Sequence, residues 1–279
     1  GVAVLLIGLV ALSLIFNKVY FALLVAVAIC VALWELAGAF ARRAVGLPLL
    51  PLWVGTFGAV ACAYVIGPEG LLAAVFATSG ACMVWSFTTQ AQYDYGTALE
   101  IAHPEDPRTY AHDVVRRSRT LEAAAAIFSV CYLPFLAGFA VMLLAQHQGV
   151  GKIVALIALP ALSDTGGWLA GITFGKHPMA PKISPKKTWE GFVGSVIATT
   201  IGTGAVLWLL GGTLWATPLL ALAVVISATL GDLGESLIKR DLGLKDMSNL
   251  LPGHGGLLDR IDSLLTTAPV LYIASVLAL

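Results

Sequence analysis

Nine stretches of the chain are almost wholly apolar: about 2–16, 19–40, 48–67, 71–87, 120–145, 151–171, 191–210, 214–232 and 263–279. Polar residues gather between these runs instead of alternating within them. About 20 helical residues cross the roughly 30 Å of bilayer hydrocarbon, and most of the runs approach that length. They are too long for strands and rich in Ala, Leu, Val and Gly, so each is predicted to be a helix. The first, fourth and last are short. Gly194-Ser195 and Gly202-Thr203-Gly204 predict close helix contact, since small residues let backbones approach. The pattern therefore predicts an all-α polytopic membrane protein with about nine transmembrane helices. No repeat or low-complexity linker divides it, so 1–279 reads as one integral-membrane domain. Within it, 1–119 holds N-terminal helices and a polar loop, and 120–279 holds the helices with the chemically interesting residues.

Composition sharpens this reading. Hydrophobic residues make up 58% of the chain and charged ones only 11%, against roughly a quarter charged in soluble domains. No Arg-rich presequence or signal-peptide pattern with a cleavage site is present, so the first run is expected to be a retained span. Of the 16 Lys and Arg residues, fourteen fall in the segments after the second, fourth, sixth and eighth runs; only Lys18 and Lys152 fall elsewhere. By the positive-inside bias those segments and the N-terminus face the cytoplasm, and the C-terminus faces outward, as in an inner (plasma) membrane protein. Cys30, Cys62, Cys82 and Cys131 each stand alone in an apolar run and read as packing residues. Trp34, Trp53, Trp85 and Trp168 read as packing or interfacial anchors.

The polar segment from about 88 to 119 mixes Asp94, Glu100, Glu105, Asp106 and Asp113 with arginines. Arg108 to Arg119 could form a short interfacial helix touching lipid head groups, but a solvated cytoplasmic connector is the preferred reading. There is no Walker loop, GxGxxG or HExxH, and no long basic tract suited to nucleic acid.

Carboxylates in apolar spans are expensive and suggest function. Asp164, within Ser163-Asp164-Thr165-Gly166-Gly167, is the clearest, and its glycines suggest an interrupted helix. Hydrogen bonding to a neighbouring Ser or Thr is the simpler alternative. Asp232 and Ser236 share a face if the eighth helix continues, with Glu235 nearby; Asp259 and Asp262 are spaced alike where the ninth begins. Carboxylates from two helix ends suit a hard divalent cation that keeps waters for substrate phosphate, although acids also favour helix N-termini through the dipole alone. Ser184-Pro185-Lys186-Lys187-Thr188 precedes the seventh run, with Ser184 as N-cap and Thr188 the alternative cap. Lysines at a helix start suit phosphate, but topology alone also places lysines there.

The most concentrated polar passage is Ser236 to Asp262. Its pattern Ser236-x2-Lys239-Arg240-x4-Lys245-Asp246-x5-Pro252-x-His254-Gly255-Gly256-x2-Asp259-Arg260-x-Asp262 resembles the signature of the CDP-diacylglycerol synthases (phosphatidate cytidylyltransferases). The Ser184–Thr188 segment resembles a second segment of that family, and the resemblance covers about 160–262. It implies condensation of CTP with phosphatidate to CDP-diacylglycerol and pyrophosphate. It implies Mg²⁺, with room for a second cation, and a homodimer. Asp232, Asp259, Lys239 and Arg240 are the candidate catalytic residues, and Asp232, Asp259, Asp164 and Asp262 the candidate metal ligands. Ser184, Lys186, Lys187, Ser236, Lys245, Asp246, His254, Gly255, Gly256 and Arg260 are the candidate substrate contacts, undivided between CTP and the lipid phosphate. The chemistry fits without a strong base: a phosphate monoester is already ionised, and the difficulty is bringing two anions together. A CTP-dependent lipid kinase and an ion-coupled transporter using Asp164 and Asp232 are the rival readings. Transporters often show repeated halves, whereas here the polar residues gather at one face.

Overall fold

The structure is a computed structural model, and it describes residues 2–43, 45–88, 107–181, 184–248, 250 and 255–278. The protein is nearly all-α. In chain order the helices are α1 (Val2–Phe16), α2 (Lys18–Ala41), α3 (Leu49–Val65), α4 (Pro68–Thr88) and α5 (Pro107–Val130). A π-helical turn (Cys131–Phe135) containing Pro134 joins α5 to α6 (Leu136–Ala145), and α7 (Gly149–Phe174) follows. After a hairpin of β1 (Pro178–Ala180) and β2 (Ser184–Thr188) come α8 (Trp189–Leu210), α9 (Thr217–Leu242) and α10 (Leu258–Ala278).

Each apolar run is helical, and among the described residues seven helices are long and apolar enough to cross a membrane. The α1 and α3 helices fall short: 15 and 17 residues span about 22 and 26 Å at 1.5 Å per residue. The exterior carries large apolar side chains such as Ile201, Trp208, Trp215 and Leu219, all well exposed. An apolar surface of this kind belongs in lipid, and the chain is an integral membrane protein.

Inside the bundle, one buried cluster joins Leu33 and Leu36 of α2, Leu52 of α3, Leu71 of α4 and Val141 of α6, and extends to Met247 and Leu258. A second joins Leu143, Leu159, Leu207, Val224 and Leu271. Caps fix where helices begin and end. Asn17 accepts the Val19 N–H at 3.0 Å to start α2, and Gly243, at φ +72°, ends α9, a conformation that glycine adopts without strain.

Three expectations are corrected. The glycines beside Asp164 do not interrupt α7, which is helical through Phe174. They let α8 approach instead: a Cβ on Gly166 would lie 2.8 Å from the Gly194 carbonyl oxygen, and one on Gly194 2.6 Å from that of Gly166. Ser184 is not a helix cap. Residues 184–188 are extended and pair antiparallel with 178–180, as the bias of a pre-proline residue towards extended backbone allows. Thr188 caps α8, accepting the Gly191 N–H at 3.1 Å. Lys186 and Lys187 accordingly lie in a strand, not at a helix N-terminus. The arginine-rich stretch before residue 120 is no separate short helix but the first part of α5; residues 89–106 of that polar segment lie outside those described.

Candidate active site

Several helix ends converge at one end of the bundle: the C-terminal part of α7, the hairpin, the start of α8, the end of α9 and the start of α10. The α9 helix continues ten residues beyond its apolar part, to Leu242, and so carries Asp232, Glu235, Ser236, Lys239 and Arg240 on a rigid element. The α10 helix begins at Leu258, which places Asp259 and Asp262 in its first two turns.

Three ion pairs around two lysines organise the chemistry. Lys187 of β2 pairs with Asp232 of α9, whose side chain is 40% exposed. Lys239 lies 2.8 Å from Asp259 Oδ1 and 3.3 Å from Glu235 Oε2, with the Lys239 and Asp259 side chains only 16% and 8% exposed. The other Asp259 oxygen, Oδ2, accepts the N–H groups of Gly256 at 2.7 Å and Met247 at 3.1 Å. Asp259 thus ties α9, the connecting loop and α10 together. Glu235 is 1% exposed, and its Oε1 has no hydrogen-bond partner, an arrangement that is costly unless a cation or proton joins it. Asp262, also buried, accepts the Ser263 N–H at 2.7 Å.

Asp164 lines a cleft of about 220 Å³ together with Ser163, Lys187, Thr188, Ser195 and Thr229. It is within electrostatic reach of Asp232 and Asp262, and Glu235 is a neighbour of Asp259 and Asp262. Five carboxylates therefore face two ammonium groups. Among the described residues no three His, Cys, Asp or Glu side chains form a ready-made metal cluster. The donor set still fits Mg²⁺, which keeps several waters and needs only one or two carboxylates beside substrate phosphates. The partly exposed Asp232 carboxylate, with Asp164 and Asp262 within electrostatic reach, is the observation that supports this fit.

The remaining candidates divide by position. Gly255 and Gly256 are held against carboxylates. Gly255 has φ +79°, and a Cβ on Gly256 would lie 3.0 Å from Asp259 Oδ2 and from both Glu35 carboxylate oxygens. Gly256→Ala is expected to lower the melting midpoint in detergent, by the equivalent of about 1–3 kcal/mol for an overpacked site; thermal denaturation of the purified variant checks this. Ser236 is half-buried one turn beyond Asp232, while Arg240, Lys245, Asp246 and Arg260 are exposed around the same end of the bundle. Ser184 is half-buried at the start of β2, and Lys186 lies in that strand beside Lys187. His254 lies outside the described residues.

Glu35 and Glu235 were absent from the sequence candidates. Glu35 sits in the second apolar run, so the reasoning that singled out Asp164 applies to it equally. Glu235 could have been found from its i,i+4 spacing to Lys239.

A profile of the cytidylyltransferase family matches residues 1–278. The chain belongs to that family. Its similarity to curated members extends well beyond residues 160–262. It is 36% identical to the phosphatidate cytidylyltransferase of Mycobacterium leprae over 95% of this chain and 82% of that protein. It is 38% identical to the enzyme of the same name from Mycobacterium bovis, over 96% of this chain and 84% of that protein. For the Mycobacterium tuberculosis protein, also named phosphatidate cytidylyltransferase, the identity is 38% over 96% and 78% of the two chains. Lys239 and Asp259 both lie in the Ser236–Asp262 signature segment, and Lys187 of the Ser184–Thr188 segment pairs with Asp232, one helical turn before it.

Proposed function

We propose that this protein is a membrane phosphatidate cytidylyltransferase, condensing CTP with phosphatidate to give CDP-diacylglycerol and pyrophosphate. The relatives' shared name supports the reaction. The observation that carries it to this chain's own residues is the Lys187–Asp232 contact, which joins the Ser184–Thr188 segment to α9 one turn before the Ser236–Asp262 segment, beside the Asp164 cleft.

The phosphate monoester oxygen of phosphatidate attacks the α-phosphorus of CTP. The bond from that phosphorus to the oxygen bridging the β-phosphate breaks, and pyrophosphate leaves with the electron pair. Both reactants are anions, so orientation and charge neutralisation dominate the barrier. Lys187 and Lys239 hold phosphate oxygens, with Arg240, Lys245 and Arg260 at the exposed rim and Lys186, Ser184, Ser236, Asp246 and His254 completing the substrate contacts. Mg²⁺, when bound, neutralises charge on the phosphates and the leaving pyrophosphate. Asp232, with Asp164 and Asp262 beside it, would hold that ion; Asp259 joins them where Lys239 turns to a substrate phosphate. Purified protein in micelles with Mg²⁺ should release pyrophosphate only when CTP and phosphatidate are both present. Release of CDP instead would identify a lipid kinase.

In this reading the chain crosses nine times, the bilayer thinning around the short α1 and α3 helices, and the positive-inside bias puts the site at the cytoplasmic face of the inner membrane. This lets CTP arrive from the cytoplasm while the lipid stays in the inner leaflet. The family resemblance adds a homodimer. In a cysteine-free background, Gly212→Cys is expected to react with an impermeant thiol reagent in intact cells, and Lys245→Cys only after permeabilisation. Labelling of Lys245→Cys in intact cells would overturn this orientation.

A further inference from the structure

Glu35 has no role in the chemistry described so far, yet it is one of the most fully buried charged groups, 2% exposed, on α2. Its Oε1 accepts the Leu257 N–H at 2.9 Å and the Ser248 hydroxyl at 2.5 Å, and its Oε2 accepts the Leu258 N–H at 2.8 Å. These amides belong to the start of α10, where helix geometry leaves N–H groups without internal partners. A carboxylate there completes charge-assisted hydrogen bonds and meets the positive end of the helix dipole. The other end of the connecting loop is held from the same region. Arg43, just beyond α2, donates to the Asp241 carbonyl at 2.5 Å, at the C-terminal end of α9, where a cation is favoured.

Gly256 lies between Glu35 and Asp259. Its N–H donates to Asp259, while its α-carbon faces the Glu35 carboxylate closely enough that a methyl group would touch both acids. The two carboxylates therefore grip one turn from opposite sides, and the position of Asp259 against Lys239 depends on that turn.

We propose that Glu35 is a positioning residue for nucleotidyl transfer, acting through the 255–259 turn to set Asp259 and Lys239. The proposal rests on the phosphatidate cytidylyltransferase reading. It predicts that Glu35→Gln, whose amide NH₂ would confront N–H and O–H donors, lowers kcat at least about thirtyfold and changes the KM for CTP less than about threefold. Glu35→Asp, which keeps the charge, should recover part of the loss. A second readout needs no turnover. Hydrogen exchange in a peptide covering 255–262 should quicken at least about tenfold in Glu35→Gln, while exchange across 220–228 in α9 stays as in the unaltered protein. Ser248→Ala, a milder variant that removes one donor, should show the same pattern at smaller amplitude.

Unchanged kcat or unchanged exchange across 255–262 in Glu35→Gln would overturn the proposal. So would protection lost equally across 220–228 in both Glu35→Gln and Ser248→Ala, which would make Glu35 a general stabiliser. If the unaltered protein made no CDP-diacylglycerol, the reaction assignment would fall, and the exchange comparison would still decide whether Glu35 holds the turn.

Discussion

Asp232→Asn is expected to lower nucleotidyl transfer about a thousandfold or more, roughly 4 kcal/mol in the barrier, while the protein remains folded and inserted. The substitution keeps the shape and removes one negative charge. Asp232 is partly exposed and its partner Lys187 is also reachable by water, so separating them costs the fold little, as for other solvent-screened pairs. The chemistry depends on the charge far more. Asp232 stands between the cleft lined by Asp164 and the acidic end of α10, where a hard cation and triphosphate oxygens would meet. Steady-state kinetics in micelles, with the melting midpoint measured alongside, give the two readouts. A change in kcat below about threefold would remove Asp232 from the site.

The second large effect is expected at Lys239, and it should appear in both activity and stability. Lys239 is the cation shared by Glu235 and Asp259, all three side chains being largely buried. Lys239→Met leaves two carboxylates side by side without it, and breaking a buried pair in this way typically costs about 3–5 kcal/mol. Transfer should fall at least about a hundredfold and the melting midpoint should drop. Lys239→Arg keeps the charge but replaces a compact ammonium with a planar fork, so it should melt near the unaltered protein and still lose about tenfold in activity. Adding Asp259→Asn to Lys239→Met should cost less than the two separate losses combined, because the partners share one interaction. Full additivity would mean that the 2.8 Å contact carries no coupling.

The helices were legible because each apolar run is nearly long enough to cross a bilayer. Their ends were less so, because the polar end of α9 carries the Asp232 to Asp241 charges and hydropathy stops where the helix does not. Ser184-Pro185 reads equally as a helix start or an extended pair, and the pairing with 178–180 that decides it is a tertiary contact. Gly166 and Gly167 read as a break because nothing local shows that α8 fills the space above them. Asp232 with Ser236, and Asp259 with Asp262, could be named from helical spacing; Lys239 and Arg240 came from the family pattern, and Glu235 on the same helix was passed over. Glu35 was harder: its partners are backbone amides more than 200 residues away, and backbone groups leave no mark on side-chain pattern.

The reaction itself is tested most directly by following the label from two forms of CTP, one carrying ³²P at the α-phosphate and one at the γ-phosphate, incubated with purified protein, phosphatidate and Mg²⁺. The α-label should enter a lipid that behaves as CDP-diacylglycerol, and the γ-label should appear in pyrophosphate, in equal amounts. Transfer of the γ-label to lipid, or no labelled lipid from either form, would contradict cytidylyl transfer.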